Sequence, residues 1–155
     1  MKWQDVLADN TLKNLPYKIE LNEYGKIEMS PASFIHSLLQ GEIAKRLGNL
    51  VKGRVFTELA IQTSKGIRVP DVAWGSNEYV QQHIKETFAS TAPGICVEII
   101  SPSNSQEEME AKVALFIEAG AKEVWLVSED GKVTYFDVSG QIYFSSFKVN
   151  LDKLI

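Results

Sequence analysis

The chain has 155 residues, 45% apolar and 23% charged, the size and make-up of one ordinary domain with a core of its own, so residues 1–155 read as a single unit. No run approaches the ~18 uncharged apolar residues of a membrane span, and Met1-Lys2-Trp3-Gln4-Asp5 lacks the basic-then-apolar layout of a secretory leader. A single cysteine, Cys96, excludes an internal disulfide and a zinc cluster, which makes the cytoplasm the expected compartment.

The formal charge of −4 weighs against nucleic acid as a partner, because phosphate neutralisation drives that binding. Its distribution softens the objection. Lys45, Arg46, Lys52, Arg54, Lys65 and Arg68 share one stretch with a single acid, Glu58, while acids gather at Glu107, Glu108 and Glu110. Taken singly, each of these bases reads as a solvated surface residue.

In chain order, residues 17–29 alternate around Asn22-Glu23-Tyr24-Gly25, which predicts an N-terminal hairpin. Ser30-Pro31 then has the chemistry of a helix start. Ile35, Leu38, Leu39, Ile43, Leu47, Leu50 and Val51 follow with a helical period, and Lys52-Gly53 closes the segment. Three strands are expected next, at 54–62, 68–74 and 94–100. The third is apolar on both faces apart from Glu98, the mark of a covered central strand. Ser101–Ser105 is a turn, and Ser105 with Glu108 forms a capping box for a helix that buries Met109, Val113, Phe116 and Ile117 and stops at Gly120. A strand at 123–128 follows. Asp130-Gly131 then turns into a C-terminal hairpin of Lys132–Phe136 and a short strand near Ile142–Phe144. The pattern is an α/β fold with an αβββαβ core, a mixed central sheet flanked by helices, and hairpins at both ends.

Two of these strands each carry one carboxylate among apolar residues: Asp71 in Gly66–Trp74 and Glu98 in Gly94–Ser101. A buried carboxylate needs a cation, a donor or a proton. With no arginine matched to them nearby in sequence, a divalent metal is the expected partner. Two carboxylates and a backbone carbonyl make the hard oxygen set that Mg²⁺ or Mn²⁺ prefers. Glu98 lies roughly 7–10 Å down its strand, and Lys112 roughly 10 Å down the following helix. The two elements run in opposite directions, so Lys112 and Glu98 are expected to meet. Glu42 falls on the inward face of the first helix by its spacing from Ile35, Leu38 and Leu39. His36 and His83 form no ligand pair and are assigned no role. Without a cation, the two carboxylates should repel, one should carry a raised pKa, and removing one should stabilise the metal-free protein.

Each member has an ordinary alternative. Pro-Asp is a common turn element, a lysine beside an apolar stripe often shields it, and Glu42 could pair with a nearby base. The constellation is the stronger signal.

Pro70-Asp71 followed by Glu98-Ile99-Ile100 resembles the PD-(D/E)XK nuclease superfamily. The four segments "RVPDVAW", "CVEIISPSN", a lysine in the next helix and "GAKEVWLV" resemble, more closely, the Uma-type putative restriction endonuclease family, over about residues 15–145. The resemblance implies a magnesium-dependent endonuclease acting on DNA, with Asp71, Glu98 and Lys112 catalytic. It also implies metal ligands Asp71, Glu98, the Ile99 carbonyl and Glu42, the last as the first-helix acid of some members. Two positions depart from the pattern. Ile100 stands where the superfamily has its lysine, with Lys112 taking over from the helix, and Phe116 stands where the family tends to have tyrosine. Duplex cleavage by one small site would call for a homodimer. The competing readings are a degenerate nuclease-like module that binds nucleic acid or protein without cutting, and a purely structural α/β domain.

Overall fold

The computed structural model describes residues 1–155. A short helix α1 (Trp3–Ala8) precedes the hairpin β1 (Tyr17–Leu21) and β2 (Ile27–Pro31). Then come α2 (Phe34–Leu47), β3 (Gly53–Thr57), β4 (Ile61–Thr63), β5 (Gly66–Arg68), β6 (Val72–Ser76) and α3 (Asn77–His83). The rest is β7 (Ile95–Ile99), α4 (Gln106–Glu118), β8 (Glu123–Val127), β9 (Val133–Asp137) and β10 (Gly140–Ile142). No helix is long and apolar enough to cross a membrane.

Six strands form the central sheet in the order β10-β9-β8-β7-β6-β3. Only β7 and β8 run parallel, joined by α4 as crossover, so the sheet is mixed as expected. Its middle strands are buried on both faces. Ile95, Val97 and Ile99 pack with Leu39, Ile43 and Leu47 of α2. Cys96, between them on β7, packs with Met109, Val113 and Phe116 of α4. The Ser105–Glu108 capping box forms as predicted, and Gly120, at φ 116°, supplies the left-handed residue that ends the helix.

A second, four-stranded sheet, β2-β1-β5-β4, lies beside the first. Its existence corrects two predicted strands. The segment 54–62 splits into β3 in one sheet and β4 in the other, with Glu58 at φ 54° where the chain turns. Likewise 68–74 splits, because Val69-Pro70-Asp71 crosses back between the sheets, and Pro70 has no N–H to continue a ladder. Period-2 patterning cannot register such a change of sheet.

The first-helix boundary also moves. Ser30 and Pro31 extend β2, pairing with Lys18 and Tyr17, which the edge position of β2 permits for a proline. Ser33 is the cap, accepting from the His36 N–H. Leu38 and Val51 are exposed rather than core.

Beyond β10 the chain returns across the α2 face, where Phe147, Val149, Leu151 and Leu154 join the core. Two anchors hold it. Glu123, fully buried, accepts from Trp125 Nε1 at 2.9 Å and from the Ser146 N–H and hydroxyl at 2.8 and 2.6 Å. Arg46 donates to the carbonyls of Asn150, Asp152 and Lys153.

Candidate active site

A cavity of about 740 Å³ opens where the two sheets meet, and Lys18, His36, Asp71, Glu98, Ile99 and Lys112 line it. Each element delivers its residue for a local reason. Asp71 sits at the crossing between β5 and β6, past Pro70, where the backbone leaves the ladder. Glu98 follows Cys96 by two positions on β7 and so leaves the sheet on the α4 side. Lys112 flanks the buried stripe of α4 and reaches back toward the strand ends, as helical side chains do.

Asp71 and Glu98 are 1% and 2% exposed, so every bond they make counts. Lys18 Nζ stands between them, 3.0 Å from Asp71 Oδ1 and 3.1 Å from Glu98 Oε2. The other Asp71 oxygen, Oδ2, accepts from the Ile99 N–H at 2.8 Å and lies 3.3 Å from His36 Nε2. The other Glu98 oxygen, Oε1, lies 3.4 Å from Lys112 Nζ. Lys112 also reaches Glu20 Oε1 at 3.0 Å, and Glu20 Oε2 accepts from the Val69 N–H at 2.8 Å. Gln40 Nε2 donates to the Asp71 carbonyl at 3.1 Å and fixes the crossing backbone. The result is one chain of alternating charge, from His36 through Asp71, Lys18, Glu98 and Lys112 to Glu20.

Protonation follows from these contacts. Burial alone would raise the Asp71 pKa. The His36 contact, Lys18 and the Ile99 N–H outweigh it and hold the carboxyl well below the usual range. Glu98 is pushed up to about 7, chiefly by burial and by the Asp71 charge, against the pull of Lys18 and Lys112. His36 is raised by its contact with Asp71. Lys18 and Lys112 resist the loss of charge that burial favours, because acids surround them, and both stay protonated. The raised carboxyl expected from sequence is therefore Glu98.

Asp71, Glu98, Ile99 and Lys112, singled out in the sequence, do come together. Glu42 does not. It accepts from Arg46 Nε at 2.9 Å, one turn along α2, and does not line the cavity. Position 42 flanks the buried Leu39–Ile43 stripe instead of belonging to it. The basic stretch is equally absent from the cavity: Arg68 is engaged by Glu28 and Glu23, and Arg46 by Glu42 and the C-terminal carbonyls.

Three participants, Lys18, Glu20 and Gln40, carry no signal of their own in the sequence, and His36, assigned no role there, stands against Asp71 in the cavity wall. In β1, Ile19 packs with Leu21, Ile67 and Val69 in a small core under α1, and nothing in the sequence separates Lys18 and Glu20, on the alternate face, from a solvated pair. That face is covered by the site. The Lys-x-Glu spacing, two opposite charges on one face of a strand, fits either setting.

The donor set suits a hard divalent ion. Carboxylate oxygens from Asp71 and Glu98 face a common point, marked by the Lys18 ammonium. In an extended strand a residue's N–H and C=O leave on the same side. The Ile99 N–H points at Asp71, and the next N–H, of Ile100, points the other way to Val127, so the Ile99 carbonyl also faces the Asp71 side. No three His, Cys, Asp or Glu side chains converge as a ready-made ligand cage, so the carbonyl and water would complete the shell.

Comparison with known proteins gives the family and the fold. The sequence profile of the Uma2 family, described as "Putative restriction endonuclease", matches residues 7–144. A crystal structure described as a putative nuclease from Anabaena variabilis has the same fold: its TM-score is 0.64 and its identity 24%, over 77% of this chain and 71% of that one. No curated protein matches the chain.

Proposed function

The chain belongs to the Uma2 family of restriction-endonuclease-like proteins, and from that premise we propose that it is a divalent-metal-dependent endonuclease that hydrolyses DNA phosphodiester bonds. The observation that carries this reading is the pair of buried carboxylates on adjoining strand ends, facing one cavity with a cation between them. Asp71, Glu98 and the Ile99 carbonyl would hold Mg²⁺ or Mn²⁺, which supplies an acidified water and charge neutralisation at phosphorus.

The chain's own groups do the rest. The Ile99 N–H and Gln40 fix Asp71. Lys112, oriented by Glu20, presents an ammonium beside Glu98 to stabilise negative charge building on the phosphate. His36, whose Nδ1 is buried without a partner, can hold a proton at the cavity wall. Two copies would be needed to cut both strands of a duplex from one such site each.

Incubation with plasmid and oligonucleotide DNA in Mg²⁺, Mn²⁺ or chelator tests this, with Asp71→Asn and Glu98→Gln as controls. Metal-dependent cutting that both substitutions abolish is the expected outcome. A second reading, a nuclease-like module that binds nucleic acid or a protein partner without cutting, draws on one observation, an acid excess that disfavours a phosphate inside the cavity itself. The cavity is lined by five acids, Glu58, Asp71, Glu98, Glu108 and Glu129, against two lysines and one histidine. Retained binding with no cutting under any metal would favour it.

A further inference from the structure

All four oxygens of Asp71 and Glu98 are already committed. Lys18 takes one from each carboxylate, His36 and the Ile99 N–H share the second Asp71 oxygen, and Lys112 takes the second Glu98 oxygen. Of these partners, only Lys18 touches both carboxylates. It reaches them from β1, a strand of the other sheet, so its withdrawal disturbs no ladder of the central sheet. A divalent ion needs oxygens at about 2.0–2.1 Å for Mg²⁺, a distance that cannot be met on both carboxylates while an ammonium stands between them.

We propose that Lys18 is an internal counter-cation that keeps the ion's place, that a divalent ion enters only by displacing its ammonium, and that the displaced ammonium turns into the cavity as a binding group for a substrate phosphate. This rests on the metal reading above. The charge balance gives the displacement a purpose. With its acids in excess, the cavity as it stands repels phosphate. The entering ion adds two positive charges and takes over the neutralisation of Asp71 and Glu98, so the Lys18 charge, already present, becomes free to meet a phosphate. Metal and phosphate then each favour the other's binding, a coupling that is reciprocal by thermodynamic necessity. Metal alone binds weakly, because it must first break two buried ion pairs.

Calorimetric titration of Mn²⁺, without substrate, into wild type, Lys18→Met, Lys18→Arg and Lys112→Met tests the idea. Lys112→Met is the charge control: it removes the same charge beside Glu98 but leaves the ammonium between the carboxylates. Lys18→Met should bind Mn²⁺ at least tenfold more tightly than wild type and at least threefold more tightly than Lys112→Met. Lys18→Arg, whose fork holds both carboxylates more firmly, should bind several-fold more weakly. If Lys18→Met is unfolded without metal, recovery of its native circular dichroism by Mn²⁺ supports the proposal in the same sense, and failure to recover, with Lys18→Arg unchanged in affinity, overturns it. Equal gains in Lys18→Met and Lys112→Met, or no gain in either, overturn it too. Mn²⁺ binding that is abolished by Asp71→Asn but indifferent to Lys18 overturns this inference alone, whereas no binding by any variant overturns the metal reading with it.

Discussion

Lys18 Nζ lies 3.0 Å from Asp71 Oδ1, a pairing across 53 positions of sequence that joins the two sheets at the cavity floor. Two neighbouring buried carboxylates would repel each other, and on that basis removing one should stabilise the metal-free protein. The lysine reverses the sign. Asp71 is held ionised by Lys18, His36 and a backbone N–H, so its loss leaves a buried ammonium underpaired. Asp71→Asn should therefore destabilise the metal-free protein by about 3 kcal/mol, the usual cost of breaking a buried pair from one side. It should also lose any stabilisation by Mn²⁺. Thermal melts in chelator and in Mn²⁺ check both, and a raised melting temperature in chelator would restore the repulsion picture.

Glu98 sets a pH dependence. Its carboxyl is raised from the ordinary value to about 7 in the folded protein, so between about pH 4.5 and 7 the unfolded chain has released this proton and the folded chain has not. Wherever the folded state binds more protons, stability falls as pH rises. The metal-free protein should thus lose stability from pH 5 to pH 7. His36, raised by Asp71, adds a loss in the same direction above pH 6.5. The groups with lowered pKa values, Asp71 among them, act only below this window. Denaturant titrations at pH 5, 6 and 7 should show the decline, and Glu98→Gln should flatten its lower half.

Lys112 bridges Glu20 and Glu98. Lys112→Ala should reduce metal-dependent cleavage by at least a hundredfold, about 2.7 kcal/mol of transition-state stabilisation. Glu20 keeps its Val69 N–H, which limits the stability cost to about 1–3 kcal/mol for one unmet partner. Ile100 lies two positions beyond Glu98, one past the end of β7, and packs on the same α4 side. Ile100→Lys in the Lys112→Ala background should return part of the activity. Full activity in Lys112→Ala would remove the lysine from the reaction.

Glu42 orients Arg46, and Arg46 holds three carbonyls of the C-terminal segment. Glu42→Gln should leave Mn²⁺ binding unchanged, while Arg46→Ala should speed proteolysis after residue 142. Limited proteolysis with mass mapping reads the second, and calorimetry the first. A loss of Mn²⁺ binding in Glu42→Gln would return Glu42 to the ligand set.

The αβββαβ order was legible in the chain because it rests on local rules. The capping box at Ser105 and Glu108, the left-handed stop at Gly120 and the unbroken apolar run around Glu98 each act within a few residues. The burial of Asp71 and Glu98 followed from their apolar neighbours, and the reach of Lys112 to Glu98 from strand and helix rise. What only the tertiary structure decided is everything that depends on the second sheet. A change of sheet leaves no periodicity, so the breaks at Glu58 and at Val69-Pro70-Asp71 were read as continuous strands. A charged strand face looks the same whether it meets water or a site, so nothing in the chain marks Lys18 and Glu20 as site residues. Long-range electrostatics then set the chemistry: the cation at Asp71 and Glu98 comes from a strand more than fifty residues away, and no spacing rule along the chain can place it there.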